Sequence, residues 1–421
     1  MTGAVSTGRL PLEGIRVLEY AQYVAGPFAG MLLADLGADV VKVEPPAGDA
    51  WRRYEPFADG ESRYFYALNR NKRSVVLDLK SEDGRRASRA LIGTADAVVH
   101  NIPPGRAREF GLDRESVRAV NPTTVWCCVS ALGSDGPDAS LTAFDLVAQA
   151  LSGLLLANAQ ASQGVPQRAG RIAMADFTAG LLAAIAVLAG VVGRGRGNDS
   201  GGAGLEVSLL GAALAVQAQR FVSVDAVDGE RRVEGRDAGG AAPGRGPATP
   251  EDLERQARAQ RTADELEPYY RGYAAADGFF VLACLRERQR LAAAGVLGIE
   301  DPWAANPQAP PADEPERARR LALVAEFERR IAREPAAVWV ERFRAAGVPA
   351  SEVRALDRLF EDDQVQANGL VHAVEHDGVG AVRLLGSVFK IDGLVTAPRR
   401  GIPGLGEHTE EVLAQCRQPR A

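Results

Sequence analysis

The stretch Arg171–Val192, RIAMADFTAGLLAAIAVLAGVV, is almost wholly apolar or small, yet it carries one carboxylate, Asp176, near its front edge. Two roles suit an aspartate there. It can cap a helix by accepting an orphan backbone N–H, since Phe177 onward reads as helix. It can also act as a nucleophile, and the chain offers few competitors. No P-loop, H-E-x-x-H or G-x-S-x-G pattern is present. His100, His372, His376 and His408 lack metal-ligand spacing, and Cys127, Cys128, Cys284 and Cys416 lack zinc spacing. No metal is expected, and a carboxylate nucleophile becomes the chemistry to consider.

The elements that must position Asp176 read as an α/β fold. IRVLEY is a short β-branched strand, followed by the small-residue loop AQYVAGP, the helix FAGMLLADLGA and the strand DVVKVEPP. SVVLDLK, ADAVVHNI and TTVWCCVS supply further strands between helical patterns, which implies a parallel sheet covered on both faces. Glu44 closes the second strand near the place of a ribose-binding acid, but the G-x-G-x-x-G fingerprint is missing and Pro27 opens the helix instead. That disfavours a nicotinamide enzyme.

At 421 residues two domains are expected. Residues 1–224 read as the first part of a large Rossmann-like domain. Residues 225–265 read as a Gly/Arg-rich linker, 266–335 as a smaller α+β domain inserted late in the chain, and 336–421 as the return to the large domain. The net charge of −6 argues against nucleic acid. The apolar run Phe177–Val192 is shorter than the ~20 residues of a bilayer span. Cysteine usage suits buried free thiols in a reducing compartment, so the expectation is a cytoplasmic protein with no membrane contact.

Four segments in order carry a resemblance: LEGIRVLEYAQYVAGPFAGMLLADLGADVVKVEPPAGD, YFYALNRNKRSVVLDLK, FDLVAQALSGLL and GLGEHTEEVL. Together they resemble the family III CoA-transferases, whose members include formyl-CoA transferase, carnitine CoA-transferase and α-methylacyl-CoA racemase. In that family the catalytic carboxylate lies in a D-x-x-x-G at a helix start. MADFTAG is similar and places Asp176 at the nucleophile position.

The resemblance implies an acyl-CoA:carboxylate CoA-transferase. Asp176 would attack the thioester, pass through a mixed anhydride and hold CoA as an aspartyl thioester until an acceptor acid takes it. Small neighbours such as Ala175, Thr178, Ala179 and Gly180 would leave room for the thioester, and the helix start would help hold Asp176 ionised. The resemblance also implies CoA contacts by Tyr23, Val24, Ala25, Leu77, Lys80 and Asn101, with Arg106 and Arg108 as phosphate candidates. Tyr64 matches an active-site aromatic position. Gly239 and Gly240 would serve either as a lid or as linker. CoA and acyl-CoA enter as substrates, with no tightly bound cofactor, and a small carboxylic acid is the second partner. An interlocked homodimer is expected.

Two other readings remain. The racemase branch needs a base on each face of the α-carbon. Phe144 stands in the place of its histidine, and the place of its second-domain glutamate falls at Leu285, with Glu287 close but not aligned. A non-catalytic CoA-binding homologue would have no need of Asp176.

Overall fold

The computed structural model describes residues 9–57, 62–157, 161–162, 164–195, 202–222, 224, 248–307, 309, 311–377, 379–396 and 398–416. Its chain divides into two compact units, one of residues 1–158, 168–244 and 360–421, the other of residues 159–167 and 245–359. Gly239 and Gly240 lie outside the described residues.

The larger unit is organised by a parallel sheet of six strands: β1 (Arg16–Tyr20), β2 (Asp39–Glu44), β3 (Arg73–Val76), β4 (Ala97–His100), β5 (Val125–Ser130) and β8 (Gly204–Ser208). Two short strands, β6 (Ala161–Ser162) and β7 (Val165–Pro166), intervene in the chain as a hairpin. The sheet order is β3-β2-β1-β4-β5-β8. β1 sits between β2 and β4, with Leu18 opposite Val41 on one side and Val98 on the other. Val17, Leu18, Val40, Val41, Val98 and Val99 are fully buried, as near-continuous apolar strands covered on both faces must be. Because the order reverses direction between β1 and β4, a crevice opens beyond their carboxyl ends, where such folds bind ligands.

Helix α1 (Ala25–Asp35) follows β1, and α8 (Met174–Gly195) packs against it and against β5. α8 runs 22 residues, longer than the sequence suggests, and begins three residues before Phe177. Among the described residues it is the one helix long and apolar enough to cross a membrane by length and composition. Its Ala175, Ala179, Ala183, Val187 and Gly190 are buried in the unit's core. The small residues serve close helix packing. A Cβ on Gly180 would lie 2.7 Å from the Ala25 carbonyl oxygen, and one on Gly190 would lie 2.6 Å from Val125. The expectation that Gly180 makes room for substrate is therefore corrected: that space holds α1, and Ala175 and Ala179 are fully buried in the core.

The chain's end returns to the edge of the sheet. Gly406 N–H donates to Ser74 Oγ (2.9 Å), His408 N–H to the Ser74 carbonyl (2.9 Å) and Val76 N–H to Thr409 Oγ1 (3.1 Å). GLGEHTEEVL thus fastens β3, and Gly406 adopts φ +70° to do so.

The second unit contains an antiparallel sheet in the order β11 (Ala350–Glu352), β10 (Phe279–Ala283), β9 (Tyr270–Ala274). Here the sequence boundaries move. Pro250–Glu265 is helix and belongs to the second unit, so the linker does not run on to 265. The return to the large domain was placed at 336, but Ala336, Trp339, Val340, Phe343 and Val348 pack with Phe280 and Phe327, and β11 pairs with β10. The chain leaves the second unit after Leu359.

Candidate active site

A cleft of about 450 Å³ lies beyond the carboxyl ends of the parallel strands. Its walls come from the segments that follow them: Gln22, Tyr23 and Ala25 after β1, Leu77 and Lys80 after β3, Asn101 and Arg106 after β4, Ser130 after β5. The loop before α6 (Asp145–Leu151) contributes Phe144, and α8 contributes Asp176. The structure therefore brings together eight residues singled out from sequence: Tyr23, Ala25, Leu77, Lys80, Asn101, Arg106, Phe144 and Asp176. Val24 is buried behind the wall, where its carbonyl accepts the Phe28 N–H (2.8 Å). Arg108 does not line the cleft; it lies on the same helix as Arg106 and acts electrostatically on Asp113. Tyr64 lies outside the wall, its ring tilted against Trp51 with ring centroids 5.3 Å apart.

Asp176 is not the cap of its own helix. That task falls to Asp145, 31 residues earlier, whose Oδ1 accepts the backbone N–H of Ala175 (2.8 Å) and of Asp176 (3.2 Å). Its Oδ2 accepts the Gln149 side-chain amide (2.6 Å). The orphan donors of the α8 start are thus served by a neighbouring helix, and the Asp176 carboxylate, half-buried at the cleft, is released from that duty. Burial, and then the nearby Asp145 charge, push the Asp176 carboxyl up to about 7. The expectation that the helix start would hold it ionised is corrected: desolvation and a like charge outweigh the helix dipole.

Asn101 and Gln22 are locked across the sheet's switch point. The Gln22 N–H donates to Asn101 Oδ1 (3.1 Å), and Asn101 Nδ2 donates to the Gln22 carbonyl (2.8 Å). The Asn101 side chain is engaged in holding the first loop. That loop also carries Tyr23 at φ 69°, a left-handed conformation that costs a non-glycine residue roughly 1–2 kcal/mol.

A fully buried charge network beneath the loop holds that conformation. Lys42 Nζ contacts Glu19 (2.9 Å), Asp49 (2.8 Å) and the Ala21 carbonyl (2.8 Å). Lys72 Nζ contacts Glu19 (2.8 Å), Asn69 (2.8 Å) and the Pro27 carbonyl (2.8 Å). Asp49 also accepts the Tyr23 N–H (3.3 Å). Gly30 is required here, since a Cβ would lie 2.0 Å from Glu19 Oε2. Glu44 belongs to the same framework. It takes a bidentate pair from Arg52 (2.8 Å each), the Ser74 hydroxyl (2.6 Å) and the Asp49 N–H (2.9 Å). Burial alone would raise its carboxyl, but Arg52 and Lys42 overcome that and leave it at about 2. Its acceptor capacity is committed to protein donors, which removes the ribose-binding role.

Cys128 lines the cleft, but burial pushes its thiol up to about 12, which makes it a poor nucleophile. Among the residues on the cleft wall, Asp176 is the carboxylate titrating near neutrality. The sequence matches CoA-transferase family III over residues 12–409. The chain belongs to that family.

It is 31% identical to the succinate–glutarate CoA-transferase of Agrobacterium fabrum over 420 residues, covering 96% of this chain and 95% of that protein. It is 30% identical to the succinyl-CoA:glutarate CoA-transferase of Mus musculus over 407 residues, covering 96% and 86%. A CaiB/BaiF family protein from Brucella suis shares the fold with a TM-score of 0.71 at 28% identity, covering 97% of this chain and all of that one. This member of family III is an enzyme of the CoA-transferase type.

Proposed function

We propose that the enzyme moves CoA between an acyl-CoA and a carboxylic acid, with Asp176 as the nucleophile. The observation that carries this reading is the placement of Asp176 on the cleft wall with its capping role taken by Asp145. In the first step an Asp176 carboxylate oxygen attacks the thioester carbonyl and the C–S bond breaks, giving an acyl-aspartyl anhydride and CoA thiolate. The thiolate attacks the aspartyl carbonyl and expels the donor acid, leaving CoA on Asp176. The acceptor carboxylate then attacks that thioester and releases the thiolate, which attacks the acceptor's carbonyl and frees Asp176. Each bond broken is replaced by one of similar energy, so the activation is conserved through covalent catalysis. Water would hydrolyse the anhydride, which makes an enclosed cleft essential.

The CoA moiety fits the walls built from Tyr23, Ala25, Leu77, Lys80 and Arg106, with the two exposed cations available to its phosphates. Val24 and Arg108 would act from behind that wall and from the face of their helix. Asn101 would contribute by holding the Gln22 loop. The relatives named for succinate and glutarate support a carboxylic acid as the second substrate. A homodimer belongs to the same proposal. Leu181, Ile185 and Val192 form an exposed apolar stripe along α8, supporting a face covered by a second copy; a monomer by light scattering at low concentration would remove this part.

Asp176→Asn tests the reading directly. It should lose CoA transfer to below a few per cent while retaining CoA binding and a cooperative thermal melt. Transfer above that level would assign the nucleophile elsewhere.

A further inference from the structure

Gln149 stands one turn after Asp145 on α6 and is fully buried. Glutamine is mostly an exposed residue, so an amide shut away from water needs a reason. One side of it has a partner: Nε2 donates to Asp145 Oδ2 at 2.6 Å. The other side does not. Gln149 Oε1 is buried and accepts no hydrogen bond among the described residues. A buried orphan oxygen is costly, and native folds keep few of them. It is tolerated here where the amide supplies a third donor to Asp145.

Asp145 receives the N–H groups of Ala175 and Asp176 at Oδ1 and the Gln149 amide at Oδ2. Donors on both oxygens are the surroundings of an ionised carboxylate, which can only accept. The orientation of the amide agrees. Turned the other way, Oε1 would face Oδ2, oxygen against oxygen, unless Asp145 carried a proton. Helices α7 (Leu154–Ala157) and α9 (Leu209–Ala215) pack against α6 and carry no titratable side chain. On α8, which also packs there, Arg194 lies at the far end and binds Asp96 at 2.8 Å, which leaves Asp176. Asp145 and Asp176 are thus two neighbouring carboxyls that compete for a proton.

On the reading that Asp176 is the nucleophile, we propose that Gln149 is a positioning residue that keeps Asp145 the charged member of this pair, so that the contested proton goes to Asp176 alone. Gln149 does not line the cleft and exchanges no proton itself. Its effect passes through Asp145, whose fixed charge repels Asp176 while Asp176 is a carboxylate. When Asp176 attacks the thioester, its charge passes to the departing CoA thiolate and the repulsion ends. Holding Asp145 charged therefore favours the covalent intermediate.

Two measurements on the full-length protein test this with Gln149→Met, which fills the same space without a donor. The first is kcat/KM for CoA transfer from pH 5.5 to 8.5. With Asp176 titrating at about 7, the parent should keep about a thirtieth of its pH 8.5 rate at pH 5.5. The variant should keep at least three times that fraction, because Asp145 then takes up part of the proton. In an Asp145→Asn background the same substitution should add nothing. Gln149→Asn, whose amide falls a methylene short of Oδ2, should match Gln149→Met and replaces it where that variant does not melt cooperatively. A fraction unmoved, or moved as much in the Asp145→Asn background, overturns the proposal. The second measurement follows the carboxyl carbons of isotope-labelled aspartate by NMR without substrate, with Asp176 assigned by its loss in Asp176→Asn. The Asp176 midpoint should lie at lower pH in Gln149→Met than in the parent. An unmoved midpoint overturns the proposal whichever residue proves to be the nucleophile. A midpoint that moves in an enzyme whose transfer survives Asp176→Asn upholds the hold of Gln149 on Asp145 and rejects the nucleophile instead.

Discussion

Asp145 holds the start of the helix that carries Asp176, and through one oxygen it bonds the Asp176 backbone N–H at 3.2 Å. The same contact that positions the Asp176 backbone places a second carboxylate beside its side chain. Burial is the larger cause of the raised Asp176 carboxyl and Asp145 the next, which leaves it at about 7. A carboxylate poised near neutrality is a stronger nucleophile than an ordinary one and a better leaving group than a strongly basic oxygen.

The transfer rate should therefore follow Asp176 ionisation, with an acid limb near pH 7 in the free enzyme. Asp145→Asn keeps an oxygen acceptor for the Ala175 and Asp176 N–H groups but removes the charge. The limb should move to lower pH in kcat/KM profiles measured from pH 5 to 9. An unmoved limb would show that Asp145 acts only as a cap.

Stability should carry the opposite signature. A carboxyl whose folded value is raised binds a proton in the native state that the unfolded chain has already lost. Stability is therefore surrendered as pH rises between the ordinary aspartate range, about 4, and about 7. Asp176→Asn is free of that loss. The variant should match or exceed the parent in thermal melts at pH 8, by on the order of 2 kcal/mol, with the advantage vanishing near pH 4. A variant less stable than the parent at pH 8 would contradict the burial argument.

Asn101 should act through position. Asn101→Ala removes both bonds to Gln22 (3.1 and 2.8 Å) and releases the loop that carries Tyr23 at φ 69°. KM for acyl-CoA should rise about tenfold, near the 1–2 kcal/mol of two neutral hydrogen bonds. Asn101→Asp should fare no better, because a carboxylate cannot donate to the Gln22 carbonyl. A kcat effect with KM unchanged would mean that Asn101 touches the reacting atoms instead.

Much of this was legible in sequence, for identifiable reasons. The β-branched runs in IRVLEY and DVVKVE fixed the first strand pair because a strand buried on both faces must be apolar throughout. MADFTAG pointed to Asp176 through its resemblance to a family pattern, and Asp176 lines the cleft. Asp145 escaped because caps are read from residues adjacent to a helix start, and this one arrives from 31 residues away. Glu44 misled for a related reason: its partner Arg52 is near in sequence, but Ser74 lies on another strand. The late boundary at 336 failed because an amphipathic helix looks alike whichever core it joins, and β11 is only three residues long.

Proton exchange separates transfer from racemisation. Phe144 lines the cleft where a base would be needed, and a phenyl ring carries no proton. In heavy water the enzyme should add no deuterium to the α-carbon of a 2-methyl-branched acyl-CoA while it moves CoA to a free acid. Rapid exchange without transfer would place the protein in the racemase branch.

The central claim is that CoA becomes covalently attached to Asp176. Intact-mass and peptide mass spectrometry of the protein, quenched after mixing with a panel of acyl-CoAs, measures this directly. A CoA adduct mapping to the peptide that contains Asp176, absent in Asp176→Asn, is the result expected. Turnover of the same acyl-CoAs with no adduct on that peptide, or with the adduct on another residue, would contradict the account.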